Sequence, residues 1–382
     1  NSKFELTVSM IFGSTGPMSN RDLALMDLHR VLQGEIPHLI DEWQEVPPLW
    51  DTVRSEVDKV QAKGRFLLTG SSVPKREEYL HSGAGRIGTV RMHTMTLYET
   101  GDSDGRVSLN GLFDGGLEMV VCPEVTFEGL VDLTVRGGWP GALGLKREDY
   151  GLISKSYFET VAEDACRLDG RVRNRDKMTM LLRSLARNES TMAGNSTVMS
   201  GMKKFDEENI AIETYYDYTD CLERIHLIED TPSFRPNVRS DMRIGKTPKR
   251  HLADVSLAVA ALGRETLMND LHTFGFIFEA LCEHDLGLYA ERLGWKLFHY
   301  RDGRDRETDA VIETADGRWG AFEIKLSLGQ VDEAADNLLA IRALFEKEGK
   351  PPAVLCVICG LSTYAYRRPD GVFVVPITAL GP

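Results

Sequence analysis

Short apolar runs alternate with amphipathic stretches over the first part of the chain. Asn20 or Asp22 can cap a helix to about Gln33, residues 38–42 read as a strand, residues 48–60 as a helix and 65–70 as a second strand. That alternation predicts a parallel sheet with crossover helices. The Gly-rich stretch from Gly101 to Gly116 reads as loop. From about residue 125 to 250 the pattern is mainly helical, with a turn at Gly137-Gly138-Trp139-Pro140-Gly141 and long amphipathic stretches at 150–168 and 176–187. A short helix (196–203), a polar turn, a longer helix (207–224), the run Ile225–Ile228 and a Pro-containing stretch follow in the order of a winged helix-turn-helix. The last third predicts a helix at 270–292, a hairpin at 307–325, a helix at 329–347 and strands at 353–358 and 372–376. The fold expected is α/β in three domains: a P-loop NTPase-like parallel sheet (1–124), a helical winged-helix-like middle (125–250) and a C-terminal α/β domain (251–382).

A chain of 382 residues suits two or three such domains. Its 42% hydrophobic and 27% charged content is that of a soluble globular protein, and it has no run of 18 apolar residues. Asn1-Ser2-Lys3-Phe4 lacks a signal-peptide layout, so the cytoplasm is the expected location. Six scattered cysteines are too sparse for a disulfide framework. Cys356 and Cys359 have redox or zinc spacing, but they sit in an apolar run with no second C-x-x-C, which predicts a buried strand. A net charge of −13 disfavours general attraction to DNA.

The chemistry begins at His38-Leu39-Ile40-Asp41-Glu42. An apolar run ending in Asp-Glu is the pattern of a Walker B strand: Asp41 would hold Mg²⁺ and Glu42 would orient the attacking water. Thr69 or Ser71, at the end of the next strand, fits a sensor of the γ-phosphate, and Arg86 a charge-stabilising arginine. The phosphate-cradling pattern G-x-x-x-x-G-K followed by Ser or Thr is missing from the sequence. Gly13 to Ser19 is Gly-rich but has no Lys, and Pro17 has no N–H to offer a phosphate. The interval from Gly16 to Asp41 has room for a helix but not for a further strand. Either the site is degenerate or a segment bearing the P-loop is absent; the intact acidic pair and sensor strand favour absence. Gly245-Lys246-Thr247 is a decoy, because Ser240 stands where the first Gly of the pattern belongs.

Two further patterns bear on DNA. Between Asp206 and Arg224 stand seven acids against one base, so a helix there would be repelled by phosphates unless its acidic face pointed away. A packing or protein-contact module is the plainer reading. Basic residues cluster after it, at Arg235, Arg239, Arg243, Lys246, Lys249 and Arg250, where a solvated loop or wing could meet a phosphate. Farther on, Asp309, Glu323 and Lys325 lie on the expected hairpin. If Ala315-Asp316-Gly317 is the turn, Asp309 comes opposite Glu323, while Glu323 and Lys325 share a face. Two carboxylates and a lysine would converge as Mg²⁺-dependent phosphodiester cleavage requires.

Residues 39–48 (Leu-Ile-Asp-Glu-Trp-Gln-Glu-Val-Pro-Pro), Arg54, Phe66 to Ser72, Ser82 to Ile87 and Met95 to Glu99 resemble predicted prokaryotic AAA-superfamily ATPases whose ATPase domain is followed by a C-terminal region of unknown function. The likeness runs over nearly the whole chain from about residue 20 and implies ATP and Mg²⁺ as cofactors, without a biological task. The hairpin resembles the PD-(D/E)xK nuclease superfamily, in which Glu279 matches the helical acid and would join Asp309 and Glu323 as a metal ligand. The expected function is therefore ATP binding and hydrolysis. The alternatives are a Mg²⁺-dependent DNA-processing nuclease with ATP as a switch, or a non-catalytic protein-interaction module using the acidic helix.

Overall fold

The computed structural model describes residues 7–10, 20–60, 62–73, 80–167, 172–203, 210–234, 247–304 and 306–382. Gly13 to Ser19, the acids at 206–208, and Arg235, Arg239, Arg243, Gly245 and Lys246 lie outside them. The described residues form two compact units, one up to Met92 with Leu222–His226, the other His93–Cys221 with Leu227–Pro382.

The first unit follows the order β1 (Thr7–Met10), α1 (Asn20–Met26), α2 (Leu28–Val31), β2 (His38–Asp41), α3 (Pro48–Val60) and β3 (Phe66–Leu68). Its sheet is parallel with β2 in the middle, β1 and β3 flanking it. The helix expected to Gln33 is broken at Asp27, whose carboxylate accepts from the amides of His29 (3.1 Å) and Arg30 (3.3 Å) and so caps a second helix. Ala24, Val31, Leu32, Ile40, Leu49 and Val53 close a small apolar core. Ile40 points into it, one residue before the acidic pair.

The second unit begins with α4 (Leu97–Thr100), β4 (Val107–Ser108), α5 (Leu109–Phe113) and β5 (Val120–Val121). Helices α6 (Phe127–Arg136), α7 (Gly151–Arg167), α8 (Arg175–Arg187), α9 (Asn195–Lys203) and α10 (Ile212–Arg224) follow, the last ending in the first unit. Then come α11 (Val255–Leu262), α12 (Arg264–Asn269), α13 (Leu271–Arg292), β6 (Lys296–Arg301), β7 (Glu307–Glu313), β8 (Trp319–Lys325), α14 (Val331–Lys347), β9 (Val354–Cys359), β10 (Tyr364–Arg367), β11 (Phe373–Pro376) and β12 (Leu380–Gly381). Seven strands form one sheet in the order β5-β10-β11-β9-β8-β7-β6, with β8, β9 and β11 parallel to one another. Residues 93–124, which the sequence placed with the first domain, belong here: Val107 is level with Leu380 and Val121 with Tyr364. Two-residue strands carry too little pattern to name such distant partners.

Val311, Trp319, Ala321, Leu355 and Val357 pack on Ala334, Leu338, Ile341 and Phe345 of α14 to make the core of this sheet. Cys356 and Cys359 are wholly buried in β9 as free thiols, and burial pushes Cys359 up to about 11. No helix among the described residues is long and apolar enough to cross a membrane.

Candidate functional site

Strands β2 and β3 are level from His38 with Phe66 to Ile40 with Leu68, so Asp41 and Thr69 leave the sheet at the same end. The Thr69 amide donates to the Ile40 carbonyl at 3.0 Å, and the Trp43 amide to the Thr69 carbonyl at 3.1 Å. With both backbones tied, the Thr69 hydroxyl donates to Asp41 Oδ1. Glu42 then turns the chain in a left-handed conformation (φ 55°, ψ 40°), which costs a residue with a Cβ about 1–2 kcal/mol. Its carboxylate accepts from Gln44 Nε2 and, at 3.4 Å, from Ser71 Oγ; Gln44 Nε2 also reaches Ser71 Oγ at 3.2 Å. Gly70 permits this, since a Cβ there would collide with Gln44 Oε1. The sequence-predicted Asp41, Glu42, Thr69 and Ser71 thus converge, with Gln44 as a member the motif did not single out. The cluster offers carboxylate and hydroxyl oxygens, the hard donors that Mg²⁺ prefers.

Arg86 does not join them. The segment from Leu80 is pinned on α3 by the amides of Leu80 (2.7 Å) and His81 (3.1 Å) on Asp51, and by Trp50 Nε1 on the His81 carbonyl (2.9 Å). Arg86 Nε consequently donates to Asp58 Oδ1 at 2.8 Å. That hydrogen bond holds the Asp58 carboxyl below its ordinary range.

In the second unit, the β7–β8 hairpin turns at Ala315-Asp316-Gly317, closed by the Thr314 amide on the Arg318 carbonyl at 2.9 Å, with Gly317 at φ +87°. The register runs from Glu313 with Trp319 to Ala310 with Phe322, which continues to Asp309 beside Glu323. Lys325 Nζ lies 2.7 Å from Glu323 Oε2 and 3.2 Å from Asp309 Oδ2. Asp309 Oδ2 also accepts from the Ile324 amide (2.7 Å), and Glu323 Oε1 from Asn337 of α14 (2.7 Å). Burial, reinforced by Asp309, pushes Glu323 up to about 7 against the pull of Lys325 and Asn337.

Glu279 on α13 is turned elsewhere. It accepts from Lys249 Nζ, whose other contacts are Glu283 Oε1 (2.8 Å) and the Asp309 carbonyl (3.0 Å). Glu279, Asp309 and Glu323 are therefore shared out between two ammonium groups. Among the described residues no group of three or more His, Cys, Asp or Glu side chains is placed to hold a metal ion.

Three family models match the chain in succession. An AAA domain covers residues 17–101, a domain of unknown function (DUF8612) residues 127–267, and another (DUF4143) residues 274–380. The chain thus carries an AAA domain followed by two domains of unknown function. No curated protein matches it. The AAA match contains the whole Asp41–Glu42–Thr69–Ser71 cluster.

A further cluster of inward-turned charges in the second unit is one that the sequence did not announce. Lys249 and Arg250, expected in a solvated basic loop, are turned inward: Lys249 is 5% exposed, and Arg250 pairs with Asp230 and Asn195. His251 Nδ1 lies 3.1 Å from Glu189 Oε1 and its Nε2 3.2 Å from Glu283 Oε2. Glu279 and Glu283 stand four residues apart on one helical face, and Lys249 and His251 alternate on an extended segment, the signals that could have shown their convergence. A cavity of about 150 Å³ opens beside His251 and Glu283.

Burial alone would lower the basicity of His251, but Glu283 and Glu189 outweigh it and lift the imidazole to about 10. A group raised in the folded state contributes stability that is full below its unfolded value, near 6.5, and lost as pH rises towards 10. The unfolding free energy measured with denaturant is therefore expected to fall from pH 6.5 to 10, by at most about 1.4 kcal/mol per pH unit from this residue. His251→Gln, less stable throughout, should show a flatter dependence across that window.

Proposed function

We propose that the protein binds ATP with Mg²⁺ at the carboxyl ends of β2 and β3 and hydrolyses it there. The observation that carries this reading is the meeting of Asp41, Glu42, Thr69 and Ser71 at one end of a parallel sheet, where ligands of open α/β sheets are bound. Asp41 would hold Mg²⁺, whose charge would offset that of the phosphates. Glu42 would take a proton from the water that attacks the γ-phosphorus, leaving ADP and phosphate. Thr69 and Ser71 would exchange their carboxylate partners for γ-phosphate oxygens. A charge-stabilising role for Arg86 would require it to leave Asp58.

For the rest of the chain we favour a winged-helix module followed by a nuclease-like α/β domain. In support, α9 and α10 lead into two antiparallel bridges, Ile228 with Leu252 and Thr231 with Lys249, and α13 and α14 flank the Asp309–Glu323–Lys325 hairpin. Asp41→Ala tests the nucleotide site. In the full-length protein it is expected to abolish the effect of Mg²⁺ on ATP affinity, measured by calorimetry with and without the metal. An unchanged Mg²⁺ dependence would remove Asp41 from the site.

A further inference from the structure

The buried carboxylates of the second unit surround a cation that belongs to the chain itself. Lys249 is brought there by backbone: its amide donates to the Thr231 carbonyl at 2.9 Å and its carbonyl accepts from the Thr231 amide at 2.8 Å. Its ammonium has three protons and three acceptors, Glu279 Oε1, Glu283 Oε1 and the Asp309 carbonyl. Two carboxylate oxygens four residues apart on α13 and one carbonyl on β7 form an all-oxygen set of the kind that binds Mg²⁺ or Mn²⁺. The side chain is 6% exposed, and its backbone pairing leaves it little freedom to withdraw. Lys325 serves Glu323 and the Asp309 carboxylate in the same way.

We propose that Lys249 is the resident cation of this cluster: its ammonium fills the seat between Glu279, Glu283 and the Asp309 carbonyl that a divalent metal would need, and keeps that seat closed to metal. The domain then keeps a nuclease-like arrangement of acids while its own lysines compensate their charge. Metal entry would have to expel a buried ammonium and leave it without acceptors, and any ligand bond would have to offset that loss. Removing the ammonium reverses the situation: Lys249→Ala leaves buried carboxylate oxygens around a space that a hydrated divalent ion can enter.

The test counts Mn²⁺ bound to the full-length protein by electron paramagnetic resonance. Wild type and Glu279→Gln are expected to bind equal numbers of Mn²⁺. Lys249→Ala should bind one more, with a melting temperature that rises as Mn²⁺ is added. The extra ion should vanish in Lys249→Ala/Glu279→Gln. Loss of a Mn²⁺ from wild type on Glu279→Gln would overturn the proposal, as would a folded Lys249→Ala protein that takes up none. Should Lys249→Ala fail to fold even with Mn²⁺, the wild-type and Glu279→Gln pair decides alone: equal counts support the proposal and a lost ion refutes it.

Discussion

Replacing Lys249 by Met is expected to lower folding stability by about 3–5 kcal/mol, the range for removing one partner of a buried ionic cluster. Met keeps most of the side chain's volume, so little of the loss comes from a cavity. What changes is that Glu279, Glu283 and the Asp309 carbonyl lose their common donor inside a part of the protein where the Glu283 side chain is buried and that of Glu279 only 15% exposed. The loss should shrink in acid. Burial, with Asp309 and Glu283 adding to it, pushes Glu279 up to about 8 against the pull of Lys249, so this carboxyl takes a proton readily and relieves part of the stranded charge. Glu283, held near 2 by Lys249 and His251 despite its burial, has less room to do so, and it keeps His251 and Ser190 as partners. Urea unfolding at pH 6 and pH 8 measures both effects. Lys59→Met provides the contrast: its Glu56 partner lies on an exposed helix face, and a change within about 0.5 kcal/mol is expected. Should Lys249→Met prove equally harmless, the buried cluster would not depend on this ammonium.

Glu42→Gln is expected to slow ATP turnover by about 10²–10⁴-fold while leaving nucleotide affinity within a few-fold of wild type. The magnitude is that of losing a positioned group that accepts the proton of the attacking water. Retained binding follows from local geometry: a glutamine carbonyl oxygen can still accept from Gln44 and Ser71, so the left-handed turn after β2 has no reason to relax. Phosphate release and equilibrium binding of labelled ATP separate the two quantities. Equal loss of both would recast Glu42 as a residue that shapes the turn.

Much of the fold was legible wherever a segment's own pattern decides its structure. Helix α3 runs over the residues its periodicity predicts, because Leu49 and Val53 face a core and Pro48 starts the first turn. The hairpin register follows from a turn centred on Asp316, from which Asp309 and Glu323 are equidistant. Burial of Cys356 and Cys359 follows from the apolar run around them. Illegible features were those settled by partners remote in sequence. A run of bases after α10 looks solvated until Glu279, Glu283 and Asp230 arrive from other elements to take Lys249 and Arg250 inward. Arg86 follows a Gly-rich loop, and nothing local shows that α3 will hold that loop and present Asp58 to it. The same limit explains residues 93–124, whose two-residue strands pair with β10 and β12 near the other end of the chain.

At the candidate ATPase site, the sequence named the acids and hydroxyls but not Gln44, whose amide bridges Glu42 and Ser71. A lone glutamine two residues after an acidic pair carries no chemical signature. Its place follows from the left-handed turn at Glu42, which brings position 44 back across the strand ends beside Gly70.

Asp41 and Glu42 are proposed as the working end of a nucleotide-hydrolysing site. Mg²⁺-dependent phosphate release by the full-length protein, followed side by side for wild type, Asp41→Ala and Glu42→Gln, tests it most directly. Turnover is expected in wild type and should fall at least a hundredfold with either substitution, whereas turnover that survives both would remove the two acids from the site.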